Sequence, residues 1–250
     1  MNFTENESVD HPLSWQLVTE NTGYISFDQV RRFFHLEPED IEFPPDIIVF
    51  NQALWKKAHF HQGAHHHHRA LITESYIHLY PILQSWQLAG VLYGLSPDAI
   101  IRIPSYPFPI LMEMDTGKET ARQWRSKLTA YRLEAWANPR FALWVIAMGG
   151  NLRLSRVHNW IVQQKLPVAW HLSRAAQIQP DAAFWESQVE NARPASLSPQ
   201  EDGLPKLWYR ELGQQENLSM DEANRRLKEG WAIAAREIIS GGLLYYLKAH

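Results

Sequence analysis

Three apolar runs constrain what this chain can fold into more than any other feature: residues 98–103 (DAIIRI), 109–115 (PILMEMD) and 141–148 (FALWVIAM). FALWVIAM shows no alternation of polar with apolar residues, DAIIRI is a nearly continuous apolar run, and PILMEMD is apolar up to its closing Glu113 and Asp115. Each therefore reads as a strand buried on both faces. Strands of that kind need helices above and below. Helical periods do flank them, at residues 69–80, from Thr116 or Gly117 to about Ala137, and from Leu152 to Gln164. A short strand in SWQLAGVLYGL and another in PVAWHL complete the order α-β-β-β-α-β-α-β. The expected class is α/β, a mixed sheet flanked by helices.

The carboxylates sit where those runs begin and end. Glu113 and Asp115 are two residues apart in one strand, so they point to the same face. Asp98 opens the preceding strand, which connects to the next through a turn stiffened by Pro104, Pro107 and Pro109. Its position against Glu113 depends on a register that the sequence does not fix. Lys127 and Tyr131 stand four residues apart on the following helix and share a face. Glu74 lies on the helix before the sheet. Glu74, Asp98, Glu113 and Asp115 are candidate ligands of a hard cation, Mg²⁺ or Mn²⁺. Mg²⁺ takes oxygen donors and uses one or two carboxylates beside waters and substrate phosphates. A lysine beside such an ion can neutralise charge on a phosphate undergoing attack. Asp98, Glu113, Asp115, Lys127 and Tyr131 are the candidate catalytic set. The bland alternative, acidic residues exposed at strand ends with no metal, stays open.

Outside the core the pattern weakens. Residues 1–10 are polar and read as a disordered tail. Residues 11–46 read as a small helical segment: an amphipathic helix from Leu13 to Gly23, then FDQVRRFFHL with Ser26 as N-cap and Gln29 completing a capping box. Two helices joined through GYIS resemble the opening of a helix-turn-helix or partial winged helix. EPEDIEFPPD follows where a recognition helix is needed. Residues 47–178 form the α/β core. ALWKKAHF fits strand or helix equally. The run His65–His68 starts a helix, and at most two of its imidazoles can share a metal. Residues 179–250 form an extension, rich in Pro, Ser and acids up to Leu204. It closes on an amphipathic helix from Ser219 with Ala223, Leu227, Trp231, Ala234, Ala235 and Ile238 on one stripe, a surface for the core or for a second copy of the chain.

Charge and composition narrow the partners. Net charge is −3, yet between Gly117 and Arg174 ten Lys/Arg stand against two acids. A basic segment beside the carboxylates suits a phosphate backbone. Arg31, Arg32, Arg102, Lys118, Arg122, Arg125, Arg153 and Arg156 are the candidate nucleic-acid contacts. There is no cysteine, so thiolate metal sites and disulfides are excluded. The polar N-terminus and the lack of a long apolar run lead to the expectation of a cytoplasmic protein without a membrane partner.

The order Glu-helix, PD-strand, ExD-strand, K-x3-Y-helix resembles the PD-(D/E)XK nuclease fold, with Pro97-Asp98 as the first half of its signature. More narrowly, the chain is similar to the replication-relaxation family of plasmid proteins. The residues carrying this are His67-x2-Ala70-Leu71-x2-Glu74-x-Tyr76, Pro97-Asp98-Ala99-x2-Arg102, Glu113-x-Asp115-x-Gly117-x-Glu119 and Lys127-x3-Tyr131. The likeness runs over residues 13–178. It implies a DNA-handling role in plasmid or mobile-element replication, with double-stranded DNA and replication or transposition proteins as partners. Asp115 occupies the place where such nucleases carry lysine, so Lys127 or Lys118 must supply it. Two functions follow as expectations: a Mg²⁺-dependent enzyme that nicks or cleaves DNA, or a catalytically inactive nuclease-like protein for DNA binding or complex assembly.

Overall fold

The computed structural model describes residues 12–60, 65–179, 181–189, 206–229, 231–239 and 242–249. The expected tail at 1–10 and the stretch 190–205 lie outside them. The chain divides into two compact units, 1–193 and 194–250.

The first unit begins with α1 (Trp15–Thr22), β1 (Tyr24–Ser26) and α2 (Phe27–Phe34). Ser14 caps α1, and Gly23 ends it in the left-handed region at φ 71°. The capping box of α2 is formed: Gln29 N donates to Ser26 Oγ at 3.1 Å, and Ser26 N donates to Gln29 Oε1 at 3.1 Å. Next come β2 (Ile47–Val49) and β3 (Ala53–Lys56). They resolve the ambiguous ALWK segment as a strand, because β3 is the centre of an antiparallel sheet in the order β1-β3-β2. Trp15, Val18, Ile25, Val30 and Leu54 bury together against Tyr76 and Ile77. The N-terminal segment is thus a small α/β layer packed on the next helix rather than a bare pair of helices.

That next helix, α3 (His66–Leu79), leads into β4 (Ser85–Leu88), β5 (Ala99–Arg102), β6 (Ile110–Asp115), α4 (Ala121–Ala137), β7 (Ala142–Ala147), α5 (Asn151–Gln164), β8 (Trp170–Arg174) and α6 (Ala182–Ser187). The strands form one sheet in the order β4-β5-β6-β7-β8. β4, β5 and β6 pair antiparallel, whereas β6, β7 and β8 pair parallel. Every residue of β6 and of β7 is buried, as expected of central strands. One face packs Ile101, Met112, Met114 and Trp144 against Leu71, Ile72 and Leu79 of α3 and Trp185 of α6. The other packs Leu111, Leu143 and Val145 against Trp124, Leu128 and Tyr131 of α4 and Val157 and Ile161 of α5. The α/β class and the helix-covered mixed sheet are as expected. α4 starts later than Thr116 or Gly117: Gly117 has φ 81°, and Thr120 takes the cap with Gln123 as its capping-box partner.

The second unit corrects the C-terminal reading. It contains β9 (Lys206–Glu211), β10 (Asn217–Leu218), α7 (Met220–Lys228), β11 (Ala232–Ile239) and β12 (Gly242–Lys248) in a sheet ordered β10-β9-β12-β11. The helix expected to run from Ser219 to Ile238 stops at Lys228. β11 then pairs antiparallel with β12 from Ala232↔Lys248 to Ile239↔Gly242, and β12 pairs parallel with β9. Alternation in AIAAREII fits a strand as well as a helical stripe, and a partner strand on each side of LLYYLK decides between them. The stripe read as a surface for the core or for a second copy of the chain therefore does not exist as one helical face. Among the described residues no helix is long and apolar enough to cross a membrane.

The fold makes one residue pair on α4 discriminating. Leu128→Ala should lower unfolding free energy by about 2–5 kcal/mol, because Leu128 is fully buried between α4 and the sheet. Arg125→Ala, on the exposed side, should change it by about 0.5 kcal/mol or less. Urea unfolding of both variants checks the orientation of the helix.

Candidate active site

β6 sorts its residues by alternation. Met112 and Met114 go to the α3 side, while Glu113 and Asp115 go to the side of α4 and α5. Both carboxylates lie inside the protein, Glu113 at 2% exposure and Asp115 at 0%. The register left open by the sequence is set by β5–β6 pairing: Ala99 faces Met112, and Asp98 N donates to Met112 O at 3.0 Å. Asp98 then turns its carboxylate along β6, where Oδ2 accepts from Met114 N at 2.7 Å. Its other oxygen, Oδ1, lies 3.1 Å from His68 Nε2 on α3.

Helix α4 supplies the partners of Glu113. Tyr131 donates its hydroxyl to Oε1 at 2.6 Å. Lys127 Nζ donates to Oε2 at 2.8 Å and also to Oε1 of Glu119 at 3.0 Å. The i, i+4 spacing that puts Lys127 and Tyr131 on one helix face here brings both onto one carboxylate. A cleft of about 320 Å³ opens beside this group, lined by His65, His67, His68, Asp98, Lys118 and Glu119 among others, with Lys127 at its wall. Glu113 is not on that wall; it lies behind Lys127.

Burial, reinforced by the charge of Asp98, pushes the Glu113 carboxyl up to about 7, against the pull of Lys127 and Tyr131. Burial lowers Lys127, but Glu113 and Glu119 outweigh it and hold the ammonium above its ordinary value. Glu119 supplies an independent anion, so Lys127 stays cationic while Glu113 titrates near neutrality. Burial also works against ionised Asp98, yet His68, the Met114 N–H and Lys127 together keep it below the ordinary carboxylate range. Burial, and then the Glu113 charge, lift Tyr131 well above its ordinary value, so its hydroxyl is a neutral donor.

Two of the expected metal ligands have other partners. Asp115 is clamped by Arg153 of α5, which donates from Nε to Oδ2 at 2.7 Å and from Nη2 to Oδ1 at 2.6 Å. Gly117 N adds a bond to Oδ1 at 3.0 Å, and Trp124 Nε1 stands 3.4 Å away. This buried bidentate pair ties β6 to α5 and takes Arg153 out of the set of solvent-facing cations. Glu74 turns toward the N-terminal layer, accepting from Gln29 Nε2 at 3.0 Å and Arg32 Nη2 at 2.6 Å, with His78 Nε2 at 3.4 Å. It borders a separate cavity of about 200 Å³ with Gln29, Arg32 and His67.

The expected nucleic-acid contacts also scatter. Arg31 pairs with Glu37 at 2.7 Å and Arg32 with Glu74. Arg102 closes β5 at the end remote from Asp98. Lys118 lines the cleft, and Arg122, Arg125 and Arg156 are exposed on α4 and α5. Among the described residues, no group of three or more His, Asp or Glu is placed to hold one metal ion.

No protein-family model matches the chain, and neither does any curated protein or solved structure.

His68 and Glu119 belong to the site although neither is among the candidate catalytic or metal-binding residues read from the sequence. His68 was hidden within a run of four identical residues. Glu119 is visible in the sequence as the next acid after Asp115, but its approach to Lys127 depends on the turn at Gly117.

Two stability experiments test this arrangement. Glu113 has its carboxyl raised from 4.5 to about 7 by folding. Its protonated form contributes stability that is complete below about pH 4.5 and is lost as pH rises through about 7. Between pH 5 and pH 8 the wild type should lose on the order of 2–3 kcal/mol more unfolding free energy than Glu113→Gln; equal losses in urea titrations would contradict the buried carboxyl. Arg153→Met should cost about 3–5 kcal/mol, because it strands the Asp115 charge in the interior, and adding Asp115→Asn should recover much of that loss.

Proposed function

We propose that this chain is a metal-dependent phosphodiesterase acting on DNA, built on a core of the PD-(D/E)XK nuclease type. The observation carrying the proposal is the convergence of Asp98, Glu113, Lys127 and Tyr131 at one end of the central strands, beside a cleft. The order α3-β4-β5-β6-α4-β7-α5-β8, with its change from antiparallel to parallel pairing at β6, supports the nuclease-type core. The likeness to plasmid replication-relaxation proteins supplies the setting: a cytoplasmic DNA-handling protein of plasmid or mobile-element replication, with double-stranded DNA and replication or transposition proteins as partners.

The donor set fits a hard cation in part. Asp98 borders the cleft, and Glu113 is joined to it through Lys127, which stands on the wall. Two carboxylates suffice for Mg²⁺ when waters and phosphate complete the shell. Asp98 and Glu113 are the residues that would hold it; Glu74 and Asp115 are committed elsewhere. Bound there, Mg²⁺ or Mn²⁺ would supply Lewis-acid stabilisation of charge on a phosphate.

The chain's own residues have distinct roles in this reading. His68 and the Met114 N–H fix the orientation of Asp98. Tyr131 fixes that of Glu113. Lys127 carries a positive charge to the edge of the cleft, where it can neutralise a phosphate oxygen. Lys118, at the mouth, offers a contact to a neighbouring phosphate.

A second reading has an observation of its own. Each carboxylate on β6 is already matched by a cation, Asp115 by Arg153 and Glu113 by Lys127. A core closed in this way could serve as an inactive scaffold for DNA binding or complex assembly. Relaxation of supercoiled plasmid with Mg²⁺, Mn²⁺ or EDTA separates the two. The enzyme reading predicts nicking that requires the metal and falls at least 100-fold in Asp98→Asn and in Glu113→Gln, both folded. Salt-sensitive DNA binding with no metal-dependent change of topology would favour the scaffold.

A further inference from the structure

The ammonium of Lys127 bridges two carboxylates, Oε2 of Glu113 at 2.8 Å and Oε1 of Glu119 at 3.0 Å. The two are held very differently. Glu113 is fixed in the central strand and gripped by Tyr131. Glu119 sits at the far end of the short turn after β6, on the wall of the cleft. That turn is well anchored: Gly117 N donates to Asp115, Arg153 Nη2 donates to the carbonyl oxygen of Glu119 at 3.0 Å, and the capping box at Thr120 follows directly. Among the described residues, Oε2 of Glu119 is buried and accepts no hydrogen bond. Glu119 thus has acceptor capacity to spare, while both oxygens of Glu113 are in use.

This asymmetry matters when a cation approaches Glu113. A divalent ion and an ammonium a few ångströms apart repel strongly in a partly desolvated site. The ammonium must therefore yield its bond to Glu113 Oε2. Leaving a half-buried Lys127 without an anion would carry the penalty of an unpaired charge. We propose that Glu119 is a positioning residue that retains Lys127 when Glu113 is given over to a divalent cation. It keeps the ammonium paired and at the cleft, where the proposed reaction needs it. Glu119 acts through Lys127 and is not itself a ligand. This role rests on the metal-dependent reading above and assigns a function to a residue that reading leaves unused.

The test measures Mn²⁺ binding by calorimetry to the full chain without DNA, for wild type, Glu119→Gln, Lys127→Met and the double variant. Thermal melts establish that each is folded. Wild type should bind Mn²⁺. Glu119→Gln should bind about tenfold more weakly or worse, the scale of one charge-assisted hydrogen bond. Lys127→Met should bind at least as tightly as wild type, because no ammonium needs displacing. In that background Glu119→Gln should change affinity threefold or less. In plasmid nicking, Glu119→Gln should lower kcat with little change in KM for DNA. An equal loss of affinity with and without Lys127 makes Glu119 a ligand and overturns the positioning role. An unchanged affinity in Glu119→Gln overturns it as well, with the metal site left standing. Absence of Mn²⁺ binding by the folded wild type sinks the metal-dependent reading itself, and the role of Glu119 with it.

Discussion

The buried carboxylate of Glu113 is the constraint around which the rest of the first unit is arranged. A charge at the centre of a sheet is tolerated only if hydrogen bonds and an opposite charge surround it. Helix α4 meets that demand with two side chains one turn apart, the Tyr131 hydroxyl and the Lys127 ammonium. The same helix packs Trp124 and Leu128 on the sheet, so the apolar contacts that fix its position also aim its polar groups. Asp115 makes a parallel demand two residues on, and α5 answers it with Arg153. The two helices covering this face are therefore each held by packing and by a cation matched to a β6 carboxylate.

The opposite face contributes through α3. Leu71, Ile72 and Leu79 pack on the strands, and the same helix brings His68 to Asp98 and leaves His65 and His67 along the cleft. Glu74, on this helix too, is drawn instead to Arg32 and Gln29. It serves as a polar tie between the N-terminal layer and the core. One helix thus serves the candidate site at its start and a domain contact farther along.

The sequence carried the layout of the core but not its ion pairing. Unalternating runs such as ALWVIA identify central strands because burial on both faces leaves no other composition open. The shared face of Glu113 and Asp115 and the i, i+4 relation of Lys127 and Tyr131 are local periodicities, so they were legible. The Asp98 contact with Met114 needed a register. The Arg153–Asp115 pair joins residues 38 apart, and the Arg32–Glu74 pair joins residues 42 apart. No local pattern encodes such partners. Consequently Asp115 and Glu74 read as free ligands, and Arg153 and Arg32 as free cations. The C-terminal strands failed for a related reason. Residues 232–239 can alternate as a strand or turn as a helix, and pairing with β12 decides between the two.

A single measurement bears most directly on the account as a whole: anomalous X-ray scattering from crystals of the wild-type chain soaked in Mn²⁺. The account predicts a Mn²⁺ peak within coordinating distance of Glu113 and Asp98, with Lys127 withdrawn from Glu113. Ordered Mn²⁺ only at Glu74 or along the histidines, with the Lys127–Glu113 contact intact, would contradict it.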